Sequence, residues 1–157
     1  MTCTILSDGS ELQLACKNEE ERPVLEIKKK ILGLLESLIY EGYEEFWVNC
    51  EYGILLWTAE LICAMKKDYD LKLHIAVPYE EQSTNWFEEQ RNRYFSLHQK
   101  ADNVKFVNTQ FHPGCYQEAE QYMLMQSNAL CLFGTPQKHS HIIKIAKEMK
   151  KAIYFSS

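Results

Sequence analysis

A chain of 157 residues with 46% hydrophobic and 25% charged residues is large enough to bury a core, and its balance argues against a long disordered tail. The formal net charge of -5 opposes the phosphate attraction behind bulk nucleic-acid binding, so a sequence-independent DNA or RNA partner is not expected. No apolar run approaches the roughly 20 residues that cross a bilayer, and Met1 to Ser10 lacks the basic start and apolar core of a signal peptide, so a cytoplasmic protein without a membrane partner is expected.

The first strand is predicted at Cys3–Leu6, followed by a long irregular connection from Ser7 to Arg22. Val24, Ile27, Ile31, Leu34, Leu35 and Leu38 then recur at the spacing of one helix face. Pro23 suits the first turn of that helix, Glu19 to Glu21 lie near its positive dipole end, and Gly42 can close it with a left-handed cap. A strand over Phe46–Cys50 leads through Gly53 into a helix over Ile54–Lys67, and a third strand covers Leu73–Val77. The next helix is expected to start near Asn85, with Asn85 capping and Glu88 reaching back, and to run to His98. After a strand at Val104–Val107 come a helix over Tyr116–Gln126, a strand at Ala129–Phe133, a helix from Thr135-Pro136 to Lys150, and a last strand at Ala152–Phe155.

Strands without polar alternation, separated by helices, specify an α/β fold: a doubly wound, mostly parallel sheet of about six strands, helices on both faces, Rossmann-like, in one domain over residues 1–157. The six cysteines (Cys3, Cys16, Cys50, Cys63, Cys115, Cys131) show no C-x-x-C spacing and no histidine partners at ligand spacing, so reduced thiols and no metal site are expected.

In such a sheet ligands settle beyond the carboxyl ends of the strands, where helix N-termini present unpaired amides. That nominates Ser7 and Asp8 after the first strand, Cys50, Glu51, Tyr52 and Gly53 after the second, Pro78 after the third, and Gly134 and Thr135 after the fifth. Gly53 is the most informative of these, because a glycine opening a helix lets backbone approach a phosphate or ribose closely.

The segment Cys50-Glu51-Tyr52-Gly53-Ile54-Leu55-Leu56-Trp57-Thr58-Ala59-Glu60 resembles the glycine-rich turn and following helix of the YpsA-like proteins of the SLOG superfamily. The resemblance continues through Lys72 to Gln82, Trp86, Arg93-Tyr94 and Ala101-Asp102-Asn103-Val104, and covers roughly Ile39 to Phe133. It implies a Rossmann-like domain linked to nucleotide-derived ligands. The chain departs from the family pattern in carrying Asn49 and Cys50 where relatives have small glycine-type residues, and Leu55 where they carry an acid suited to a ribose hydroxyl. Glu51 is the nearest replacement. The phosphate loop of base-releasing relatives is reduced here to Phe133-Gly134-Thr135-Pro136.

Other residues have plainer readings. Trp57 and Trp86 can stack a base but fit packing, Glu60 can bond backbone, an arginine or a ligand, Arg91 and Arg93 can clamp a phosphate but fit solvated helix faces, and His139 and His141, two apart, fit the surface. Cys50 and Cys115 lack a paired histidine base. The expected function is therefore a sensory or regulatory domain that binds a nucleotide-like small molecule, with no cofactor and no complete catalytic set; association as a homo-oligomer is left open. The alternatives are a nucleoside-phosphate hydrolase or transferase using Glu51 or Glu60, and an interaction protein that kept the fold without a working pocket.

Overall fold

The computed structural model describes residues 1–7, 18–134 and 136–156, and in these strand and helix alternate along the chain. The strands are β1 (Thr2–Ser7), β2 (Glu45–Val48), β3 (Lys72–Val77), β4 (Asn103–Phe106), β5 (Ala129–Phe133) and β6 (Ala152–Ser156). The helices are α1 (Arg22–Tyr40), α2 (Ile54–Met65), α3 (Glu88–Lys100), α4 (Cys115–Met125) and α5 (Ser140–Glu148), with a 3-10 turn at Pro136–His139 ahead of the last. All pairings are parallel, in the order β4-β3-β2-β1-β5-β6. The doubly wound α/β fold expected from the sequence is therefore the one observed.

Unbroken apolar strands are required because each face of the sheet is covered, and the period of two divides the side chains between the faces. Cys3, Ile5, Phe46, Val48, Leu73, Ile75 and Cys131 join the core that contains Ile31 and Leu35 of α1, Leu56 and Ile62 of α2, and Tyr94 and Leu97 of α3. Their neighbours Leu6, Trp47, Ala76, Leu130 and Leu132 join the opposite core, with Ala119 and Met123 of α4 and Ile142 and Ala146 of α5. Thus the crossover after β1 covers one face and the connection after β5 covers the other.

Local chemistry sets the ends of the elements. At the end of α1 the Tyr43 amide donates to Leu38 O and the Gly42 amide to Ile39 O, both at 3.0 Å, with Gly42 at φ +105°, so the predicted glycine cap forms. Strand β2 stops at Val48 because Cys50 takes a left-handed φ of +58°, two residues short of the expected end. Helix α3 begins at Glu88 after Phe87, and Asn85 does not cap it. Instead Tyr79 to Trp86 runs as successive turns, with the amides of Gln82, Thr84 and Trp86 donating to Tyr79 O, Glu81 O and Ser83 O. Among the described residues no helix is long and apolar enough to cross a membrane.

Candidate ligand site at the strand ends

The turn from Asn49 to Gly53 is built by side chains around it. Asn49, 2% exposed, accepts the Glu51 amide on Oδ1 at 2.9 Å, which bends the chain sharply after β2. Gln82 Nε2 donates to Asn49 O at 3.2 Å, and Tyr94 Oη donates to Gln82 Oε1 at 2.9 Å, so a buried chain of hydrogen bonds from α3 holds the turn. Gly53 sits at φ +111°, a region that any residue with a Cβ enters at a cost, and α2 starts directly from it. The Leu56 amide donates to Glu51 O and the Trp57 amide to Gly53 O, both at 3.0 Å. The amides of Gly53, Ile54 and Leu55 meet no acceptor among the described residues, as the first turn of a helix requires.

The nominated residues fall into separate groups. Ser7 pairs in register with Phe133, which brings the end of β1 beside Gly134, and both Ser7 and Gly134 are half-buried. The Gly134 amide is already committed to Ser156 O at 3.2 Å. Cys50 is fully buried and burial pushes its thiol far up, so it is no nucleophile. Pro78 is buried at the end of β3, where its carbonyl accepts Asn108 Nδ2 at 3.2 Å. Asp8 and Thr135 lie outside the described residues.

Tyr52 belongs to a different cluster, in which its hydroxyl donates to Glu19 Oε2 at 2.6 Å. Arg93 donates to Glu19 through Nη1 at 2.6 Å and Nη2 at 3.0 Å, and to Glu60 through Nη2 at 2.6 Å and Nε at 2.9 Å. Lys28 Nζ adds a bond of 3.0 Å to Glu19. Burial opposes ionisation of Glu19, but the bonds from Arg93, Tyr52 and Lys28 outweigh it and hold the carboxyl at about 2. The solvated reading of Arg93 is therefore corrected: its guanidinium is saturated by two carboxylates. Glu60 is spent on the same arginine. A cavity of about 820 Å³ between α2 and α3 is lined in part by Glu60 and Arg93, which are already committed to each other.

A second titratable cluster was not legible in the sequence. Burial raises the Glu51 carboxyl, and burial followed by the Glu51 charge raises Glu120 of α4 to about 7. Tyr116, one turn before Glu120, is raised first by burial and then by the same Glu51 charge. Among the described residues neither carboxyl has a hydrogen-bond donor. His139, expected at the surface, has a side chain only 8% exposed, with Nδ1 3.8 Å from Glu120 Oε1. The 3-10 turn folds it inward against α4, whereas His141 stays exposed. No group of three or more side chains suited to a metal ion occurs among the described residues.

The family model YpsA, described as the YspA SLOG family, matches residues 10–154. The chain belongs to this family. Among similar proteins, a UPF0398 protein of Staphylococcus saprophyticus is 36% identical over 112 residues, 68% of this chain and 58% of that protein. A UPF0398 protein of Staphylococcus epidermidis is 30% identical over 79% of this chain and 68% of its own length, and one of Halalkalibacterium halodurans is 26% identical over 88% of this chain and 77% of its own length. The chain thus spans between about half and three quarters of the relatives it matches.

In this member of the YpsA family Leu55 is 4% exposed and belongs to the same core as Val48 and Ile75. A carboxyl is present nearby at Glu51, supplied from before the glycine.

Proposed function

We propose that this YpsA-family chain is a sensory or regulatory protein that binds a nucleotide or nucleotide derivative beyond the carboxyl ends of β1, β2 and β5. The observation that carries this reading is the reversal of the chain at β1: α1 after β1 covers one face and α5 after β5 covers the other, the switch point beyond which open parallel sheets hold their ligands. The α2 amides at Gly53 to Leu55 offer a positive terminus to an anionic group, and the Glu51 carboxyl offers an acceptor to a hydroxyl. Residues 1–157 act as one domain in this reading, and the protein works in the cytoplasm without a bulk nucleic-acid partner.

The experiment is a melting-temperature screen with AMP, ADP and ADP-ribose. Ligand at about 100 times Kd adds roughly 2.7 kcal/mol, equivalent to about 5–10 °C for a chain of this size. Glu51→Gln should reduce that shift. No shift with any of the three compounds overturns the reading.

A second reading is favoured by the two buried carboxyls. Burial raises both Glu51 and Glu120, and Glu120, at about 7, is suited to proton donation near neutral pH, as a hydrolase or transferase of a nucleoside phosphate would need. Turnover of a nucleotide panel, lost in both Glu51→Gln and Glu120→Gln, would establish it.

A further inference from the structure

Between α4 and the 3-10 turn lies a recess of about 180 Å³, lined in part by Tyr116, Glu120, Gln121, His139 and His141. Binding sites for whole drug-sized ligands span about 300–1,000 Å³, so this recess accepts a fragment of the size of a sugar ring and not a complete nucleotide. Its inner wall carries two groups whose hydrogen-bonding capacity is unused. His139 Nε2 is buried and has no partner among the described residues, while Nδ1 faces Glu120 across 3.8 Å. Buried polar atoms in folded proteins nearly always find partners, so the unpaired Nε2 of a residue that lines the recess marks a partner that no described residue supplies.

The chemistry of the missing partner is narrowed by its neighbours. An anionic group would meet the Glu120 carboxyl, and Glu51 acts electrostatically on the same residue. A metal ion would lack ligands, since no set of three metal-binding side chains gathers among the described residues. A hydroxyl both donates and accepts, and can satisfy an imidazole nitrogen of either tautomer together with a carboxyl in either protonation state. Two adjacent hydroxyls satisfy both groups at once.

We infer that the recess formed by Glu120 and His139 is a subsite for the vicinal hydroxyls of a sugar. This rests on the nucleotide reading given above and specifies which part of the ligand goes where: the charged end lies toward the α2 terminus and the sugar toward α4. Leu55 is buried in the core, so its position offers the sugar no acceptor.

Calorimetric titration of the full chain with AMP and with 2′,3′-dideoxy-AMP tests this. The wild-type protein should bind AMP more than about tenfold tighter than the dideoxy compound, since a site built around a hydroxyl rejects the analogue that lacks it. Glu120→Gln and His139→Phe should each bring the two affinities to within about threefold of each other, chiefly by weakening AMP. Melting curves of both variants show whether they fold, and His139→Gln serves if the phenylalanine does not. Binding of both compounds with equal affinity by the wild-type protein, or discrimination that survives both substitutions, overturns the subsite while leaving nucleotide binding in place. Failure of both compounds to bind overturns the subsite and the nucleotide reading together.

Discussion

The Arg93 guanidinium and the Glu19 carboxylate meet side by side, Nη1 to Oε2 at 2.6 Å and Nη2 to Oε1 at 3.0 Å, across 74 residues of sequence. The bond ties the entry to α1 to the middle of α3 and leaves both groups mostly shielded from water, with side chains 22% and 20% exposed. Arg93→Ala strands two carboxylates, Glu19 and Glu60, and should cost about 1–3 kcal/mol, or roughly 2–10 °C in melting temperature. A denaturant titration checks this, and adding Glu19→Gln to Arg93→Ala should recover part of the loss.

The same pair sets an acid limb. Glu19 is held at about 2 in the folded protein and returns to an ordinary carboxylate value when unfolded, so the unfolded chain binds the extra proton and stability falls as pH drops. Relative to wild type, Glu19→Gln should be less stable above about pH 4.5, with the gap closing as pH approaches 2. Melting temperatures across that range give the comparison.

Glu120 has the opposite sign. Its folded value of about 7 lies above the unfolded one, so the fold prefers the protonated carboxyl and loses stability as pH rises from about 4.5 through 7. Glu120→Gln removes the charge that burial penalises, and should match the wild type near pH 4 and exceed it at pH 8. Parallel melting curves with no divergence between these pH values would contradict the assignment.

Two glycines on and after α1 should respond in opposite directions. Gly33 lies inside the helix with nothing within 4 Å of an added Cβ, so Gly33→Ala should stabilise by about 0.5–1 kcal/mol. Gly42 is at φ +105°, and a Cβ there would stand 3.3 Å from Met1 Cε, so Gly42→Ala should destabilise by roughly 1 kcal/mol. Urea unfolding of the two variants reads both signs.

The strands and the face of α1 were legible because burial on both sides of a parallel sheet leaves a strong local signal, as in Leu73 to Val77 and Ala129 to Phe133. Where local signals failed, a distant residue had decided the outcome. Asn85 and Glu88 have the spacing of a capping box, yet Gln82, fixed to Asn49 and Tyr94, imposes turns through Trp86 and delays α3. Glu19 sits where an acid would complement the dipole of α1 but reaches Arg93 instead. Of the site, the turn at Gly53 could be read from its glycine and from the family resemblance. Glu120 and His139 could not, because nothing in the spacing of α4 or of the last helix says that the 3-10 turn presses one against the other.

The reading proposed for this protein places a nucleotide beyond the paired ends of β1 and β5. Amide resonances followed during titration with AMP test it at the residues concerned. The account predicts saturable shifts concentrated at Ser7, Glu51, Gly53, Ile54 and Gly134; an unchanged spectrum at millimolar AMP, or shifts confined to the outer groove of Cys63 and Asn92 between α2 and α3, would contradict it.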